Sequence, residues 1–267
     1  MWQDVRSMNT TANALFGVFL LALMMSGVWW LVQRPMFTLK VIQVVGADQQ
    51  PLRHVNALTI RDTALPKLKG NFFTTNLDGV RTAFEAVPWV RKASVQREWP
   101  NKLIVTLEEH QALGTWGEEG RLMSVKGDVF TANLAEAEED AELIDFAGPE
   151  GSEKEVLARY IDFKTWFAKI SLAPESVQYS SRYAWSVKLN NGMKVELGRV
   201  QDDQTLQSRV DKLLTVYPQL VASLQDSIES VDMRYPNGLA LKSSHSGFGI
   251  ASKLSGKQSS KLNVKRK

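Results

Sequence analysis

The chain has no cysteine at all and only three histidines among its 267 residues. The missing cysteines exclude disulfides, thiolate metal sites and thiol nucleophiles together. They leave the compartment open, since a chain without thiols is safe in an oxidising or a reducing one. His54, His110 and His245 stand far apart, with neither HExxH nor H-x-E spacing, so no zinc motif is present. His110, after Glu108 and Glu109, reads as a solvated strand end. There is no G-x-S-x-G nucleophile elbow. Residues 247–252, "GFGIAS", are half of a glycine loop, but they follow no clear strand and open no helix. The acidic run "AEAEEDAE" at 135–142 has no apolar surroundings that would shift a carboxyl pKa, and reads as a solvated loop or a short helix. Neither an enzyme nor a bound cofactor or metal is expected.

Residues 14–32, "ALFGVFLLALMMSGVWWLV", lack any charge. As a helix they extend about 28 Å, close to the hydrocarbon thickness of a bilayer. Trp29 and Trp30 lie at one end, where indole rings favour the interface. A cleavable signal peptide has a shorter apolar core and a small-residue exit. Here the run ends in "VWWLVQRP", so an uncleaved membrane span is expected behind a short head, residues 1–13. Arg6 and Asp4 on one side and Arg34 and Lys40 on the other do not decide the orientation by charge bias.

The body also lacks excess positive charge. Residues 242–267 carry seven cations and no acid, so the net +3 of the whole chain leaves −4 for the rest. The basic pI belongs to the tail and does not suggest nucleic acid. Residues 243–267 are rich in Ser, Gly and Lys, and are expected to be disordered. The tail reads as solubilising, or as attractive to phosphate, anionic lipid or peptidoglycan.

What is present between these ends is mixed α and β. Residues 37–45, "FTLKVIQVV", alternate with Leu39, Val41 and Val45 on one face and predict a strand. A short helix is expected over 53–64, with Val55, Leu58 and Ile60 as apolar positions. Asn76 is a good N-cap for a helix with Leu77, Val80, Phe84 and Val87 on one face, stopped by Pro88. The stretch "VPWVRKASVQREWPNKLIVTL" then predicts two strands, 90–97 and 102–109, around Pro100-Asn101, with Leu103, Val105 and Leu107 sharing a face. Trp89 and Trp99 read as packing residues. Strand, helix, helix, strand, strand makes a small three-stranded sheet with helices on one face.

The second region, beginning near Trp116, predicts two short strands around Lys126-Gly127-Asp128. A helix from 152 to about 170 follows, with Ser152 and Glu155 as a capping box and Val156, Tyr160, Phe163 and Phe167 as its apolar face. The clearest hairpin is 183–198, where Trp185, Val187 and Leu189 face Met193, Val195 and Leu197 across Asn190-Asn191-Gly192. A helix through Leu206, Val210, Leu213, Leu214 and Tyr217 is expected to close at Pro218. Two last strands, 230–235 and 239–242, flank Pro236-Asn237-Gly238. The fold class is α+β, and a tethered pair of such domains without an active centre presents surfaces, sheet edges above all.

The ordered set of motifs is similar to that of the FtsQ/DivIB cell-division family. It comprises the apolar helix, "VPWVRKASVQREWPNKLIVTLEEHQALGTW" (87–116), "GDVF" (127–130), "GPEG" (148–151), "VELGR" (195–199) and "VDMRYPNGLAL" (231–241). The resemblance covers about residues 14–242. It implies a cytoplasmic head at 1–13, a single inner-membrane span at 14–32, a POTRA domain at 37–109 and a β domain at 113–242, both domains periplasmic and placed at the division septum. It implies a non-enzymatic scaffold that binds FtsB and FtsL, and it puts the partner contact on Tyr235, Asn237, Gly238, Leu239, Ala240, Leu241 and Lys242, with Arg199 nearby. Tyr235 as a half-buried strand aromatic and Arg199 as an ordinary surface charge are the plainer readings. A tryptophan that follows the last strand in some relatives is replaced here by Lys242-Ser243-Ser244. Leu239–Lys242, as the last regular element, is expected to leave one edge without a covering strand. Two other classes fit less well. A POTRA protein serving an outer-membrane barrel is disfavoured because no barrel-length run of alternating ten-residue strands follows and because a spanning helix precedes. An anchored periplasmic hydrolase would need a catalytic motif.

Overall fold

The computed structural model describes residues 3–202, 205–223, 228–235, 238–243 and 249–251. The chain forms two compact units, one ending at His110 and the other starting at Gln111.

The first unit opens with helix α1, Gln3–Val32. Its apolar part, Met8–Val32, is long enough to cross a membrane and buries nothing against the protein. Strand β1 (Val41–Gly46), helix α2 (Ala57–Thr63), helix α3 (Leu77–Glu85) and strands β2 (Val90–Glu98) and β3 (Lys102–Glu109) follow. The sheet order is β1-β3-β2, with β1 parallel and β2 antiparallel to the central strand. β3 is central because it is the most apolar on one face: Leu103, Val105 and Leu107 are fully buried. Asn56 and Asn76 cap α2 and α3 through their side chains, the first accepting from Thr59 N, the second from Asp78 N and Gly79 N. α3 buries Val80, Ala83 and Phe84, at roughly 2 kcal/mol for each of the two larger side chains.

Four local expectations are corrected. The strand predicted from residue 37 starts at Val41, after a 3-10 turn at Pro35–Phe37. Val41 is exposed, whereas Ile42 and Val44 are partly buried, as are Leu39 and Val45 of the predicted face. Leu58 is exposed on α2, where Ile60 and the flanking Val55 and Ala64 supply the buried face. Trp89 packs as expected, stacked on His54 with ring centroids 3.9 Å apart. Trp99 does not: it is 73% exposed. The edge strand runs past its apolar neighbours, and every residue from 96 to 100 is exposed.

One long-range contact has no local signal. The Glu109 carboxylate accepts hydrogen bonds from the backbone N of Arg53 (2.8 Å), His54 (3.1 Å) and Val55 (2.7 Å), which pins the approach to α2 onto the end of β3. Hydrogen bonds to a charged acceptor are the strong ones. Glu109→Ala is expected to destabilise this unit by about 3 kcal/mol, and to speed amide exchange at 53–55. Unchanged protection there in the variant would show the contact to be incidental.

The second unit is one ten-stranded sheet with two long helices. In chain order it comprises β4 (Ala112–Trp116), β5 (Arg121–Ser124), β6 (Val129–Phe130), α4 (Leu134–Asp140), β7 (Ile144–Ala147), α5 (Glu153–Phe167), β8 (Pro174–Tyr179), β9 (Ala184–Leu189), β10 (Lys194–Arg199), α6 (Thr205–Ser223), β11 (Ile228–Asp232), β12 (Leu239–Ser243) and β13 (Gly249–Ala251). The order across the sheet is β13-β12-β11-β10-β9-β8-β7-β4-β5-β6. Three pairs are parallel: β10 with β11, β4 with β7, and β7 with β8. α5 packs on β8 and against α6, which lies on β10. Val156, Tyr160, Phe163 and Phe167 are buried as their spacing predicts, and so are all six apolar residues of the 183–198 hairpin.

Here too the structure departs from expectation. Ser152 does not cap α5 through its side chain; its hydroxyl donates to Pro149 O at 2.6 Å. α6 continues through Pro218 to Ser223. Leu220, beyond the proline, still packs on the core, which compensates for the lost hydrogen bond. The expected disorder from residue 243 falls mostly outside the described residues. Within them, β12 extends to Ser243, and Gly249–Ala251 is a paired strand.

Candidate partner-binding surface

β10, β11 and β12 bring the sequence-predicted residues to one end of the sheet. β10 and β11 run parallel, with Glu196 beside Asp232. β12 returns antiparallel, with Ala240 beside Asp232, Leu241 beside Val231 and Lys242 beside Ser230. Arg199 and Tyr235 therefore leave the sheet at the same end, where Gly238 enters it.

The local frame is rigid for identifiable reasons. Gly198 has φ +76 and lies at a register shift between β10 and β9. A Cβ there would stand 2.8 Å from Arg234 Cγ and 3.4 Å from Arg209 Nη1, so glycine allows two arginines to close over the strand. Arg209, from α6, donates to the carbonyls of Leu197 and Arg199, the latter at 2.9 Å. Met233 N donates to Glu196 O at 2.8 Å, and its side chain is buried. The Asp232 carboxylate accepts from the backbone N of Arg234 at 3.0 Å and from its guanidinium at 2.6–3.1 Å. Burial pushes the Asp232 carboxyl up, but the hydrogen bonds and charge of Arg234 outweigh it and hold the group below the usual carboxylate range. The same contacts raise Arg234 above its ordinary value. The contact is therefore favoured while the carboxylate is ionised, and is weakened as pH falls through its lowered pKa.

On this frame Tyr235 is 58% exposed, at the end of a turn fixed by Met233 inside and by the Asp232–Arg234 pair outside. Arg199, Gly238 and Lys242 are exposed, and Lys242 pairs with Glu229 of β11 at 2.9 Å. Leu239, Ala240 and Leu241 are half-buried, and the two leucines pack at the rim of the core. Asn237 lies outside the described residues. Sequence reading missed Gly198, Arg209, Asp232 and Arg234. Gly198 alone carried a signal, since glycine inside an alternating strand marks a bulge. The expectation of an uncovered β12 edge is corrected: Leu239, Ala240 and Leu241 pair antiparallel with Ala251, Ile250 and Gly249. The glycines and serines around 249–251 hid so short a strand.

One helix long and apolar enough to cross a membrane, a β-α-α-β-β unit and a long mixed sheet define a multidomain α+β class. The C-terminal domain of the cell division protein FtsQ/DivIB matches residues 114–234, and the FtsQ-type POTRA domain matches residues 37–110. The chain belongs to the FtsQ/DivIB family of cell division proteins. It is 51% identical over 248 residues to the cell division protein FtsQ of Burkholderia pseudomallei, covering 93% of this chain and 96% of that one. It is 38% identical over 253 residues to the FtsQ of Bordetella pertussis, covering 90% and 92%. It is 36% identical over 241 residues to that of Thiomonas arsenitoxydans, covering 89% and 87%.

Proposed function

We propose that this chain is a non-enzymatic scaffold of the division machinery, anchored once in the inner membrane with residues 1–13 cytoplasmic and both folded units periplasmic, and that it binds FtsB- and FtsL-type partners at the septum. The observation that carries the reading is the arrangement at the end of β10, β11 and β12. An exposed tyrosine follows Arg234 on a clamped turn, Arg199 and Arg209 lie at the end of β10 on the same side of the sheet, and the outer neighbour of β12 is described over Gly249–Ala251. Exposed aromatics on rigid supports are common binding anchors. Arg199, Arg209 and Arg234 against Glu196 and Asp232 leave a positive balance that favours an acidic partner segment.

In this reading the partner adds as a strand to β12 and displaces Gly249–Ala251. Backbone hydrogen bonds supply affinity, and alternate side chains supply specificity. Among the described residues Leu239 pairs on the β13 side, so Leu239→Pro is expected to disturb the outer edge and spare the ladder to β11. The test is calorimetric titration of the full chain in detergent micelles with the extracytoplasmic domain of an FtsB-type protein. Tyr235→Ala is expected to lose about 2 kcal/mol or more, and Leu239→Pro to weaken binding. Truncation after Ser243 should tighten it, because an occupied edge reduces apparent affinity. Wild-type affinity in folded Tyr235→Ala and Leu239→Pro variants would rule the site out. Weaker binding after truncation would make the tail part of the contact.

A further inference from the structure

We propose that the tip of the β2–β3 hairpin, led by Trp99, seats in the interfacial layer of the bilayer that α1 crosses, with Phe73 and Met36 beside it. The proposal rests on α1 being a membrane span, and its test reads that separately.

Position comes first. A chain of hydrogen bonds leads from the end of α1 to the hairpin tip. Asn71 Nδ2 donates to Val32 O at 2.9 Å. Thr75, through its N and its hydroxyl, donates to Asn71 O at 2.9 and 2.6 Å. Arg97 Nη2 donates to Thr75 O at 2.6 Å, two residues before Trp99. A second route runs through β1, where Lys40 N donates to Asn101 O at 3.1 Å. A third ties the 70–75 loop to the helix exit: Phe72 N donates to Phe37 O at 2.9 Å, and the Phe37 and Phe73 rings meet edge to face at 5.0 Å. The hairpin tip, the 70–75 loop and the exit of α1 thus form one pole of this unit, and the pole cannot swing from the helix without breaking these contacts.

The composition of this pole suits a membrane interface. The pole exposes Trp99 at 73%, Met36 at 59% and Phe73 at 47%, and Trp29 and Trp30 are exposed in the last turn of the helix that leads to it. Indole rings have an apolar body and a polar N–H, and they collect where hydrocarbon meets headgroups. That layer is about 5–8 Å thick on each side, within reach of a side chain of this size. The Arg34 guanidinium lies 3.4 Å from the Trp30 ring centroid. Lys40, Lys67 and Lys69 are exposed around the same pole, as suits phosphate headgroups. Glu98, the acid nearest the tip, is paired with Lys102 at 2.7 Å. The apolar tip continues a surface that already lies in lipid, which selects the bilayer over a protein as its occupant.

The absence of cysteine makes the test direct. The full chain is reconstituted into vesicles of phosphatidylethanolamine and phosphatidylglycerol, with one nitroxide at a time at Leu21→Cys, Lys92→Cys or Asn101→Cys. Collision with oxygen and with a water-soluble nickel chelate reports depth. Leu21 should read as deep, which tests the span. Lys92, exposed far along β2 from the tip, should read as aqueous. Asn101 should show an oxygen-to-nickel ratio several-fold above that of Lys92. Trp99→Ser should return Asn101 to the aqueous value while leaving the melting temperature unchanged, since Trp99 packs on little. An aqueous reading at 101 with a deep reading at 21 overturns the proposal and leaves the span intact. Persistence of depth at 101 in Trp99→Ser overturns the role of the indole. Protection that appears only when another protein is added assigns the tip to a protein partner instead.

Discussion

Gly114→Val is expected to detach the outer strands of the second unit at a cost of about 4 kcal/mol, the upper end for a point substitution. Gly114 is buried in β4, opposite Ile144 of β7. A Cβ there would fall 1.9 Å from Ile144 O and 2.7 Å from Phe146 Cε2. The nearer atom is backbone, so a side-chain rotation cannot relieve the clash. The parallel pairing of Gly114, Thr115 and Trp116 with Ile144, Asp145 and Phe146 has to open. β4 carries Trp116, and β5, which pairs with it, carries Leu122 and Met123, all buried. Hydrogen exchange should report the loss at 112–130 before any change in the first unit. Wild-type protection over that segment would show that the backbone accommodates the group.

The second large effect is expected from Trp185→Ala, at about 4 kcal/mol. Trp185 is fully buried on β9, stacked on Tyr179 with centroids 4.2 Å apart and meeting Phe163 of α5 at 6.1 Å. Truncation removes the contact between sheet and helix and leaves a cavity between elements that cannot collapse together. Trp185 also faces Gly198 across the bulge, so the frame that holds Arg199 and Arg234 loosens with it. Trp185→Phe keeps a ring in place and should cost markedly less. Denaturant midpoints of the two variants decide the matter, and a loss below about 1 kcal/mol in Trp185→Ala would mean that the site repacks.

The elements legible in the sequence are those whose partner is local. The 183–198 hairpin announced itself by strict alternation around a turn, and α5 by four large apolar residues at helical spacing. Asn76 fitted its cap because the bonds it accepts lie two and three residues away. Strand β7 escaped notice for the opposite reason, and β4 and β8 escaped it through their composition although each has a local hairpin partner. β7 is four residues long and is paired on both sides with strands distant in sequence, and β8 begins with a proline and buries Ser176 beside Val177. No alternation survives in such segments. Trp99 misled because hydrophobicity was read as burial, whereas position beyond the sheet decides exposure. At the candidate surface the exposed residues could be named, but their rigidity could not. It depends on Arg209 reaching from α6 and on Glu196 meeting Met233, contacts that only the folded chain creates.

The parallel pairing of β1 with β3 has a mechanical side. Tension from the helix enters β1 at its first residue, and the chain leaves β3 at its last, toward Gln111. In parallel strands these points lie at opposite ends of the ladder that joins Val41–Gly46 to residues 102–107. A pull between α1 and the second unit therefore loads the six residue pairs of that ladder in shear, all at once. An antiparallel β1 would have placed the two loaded ends side by side, and the same pull would have peeled the pairs apart one after another.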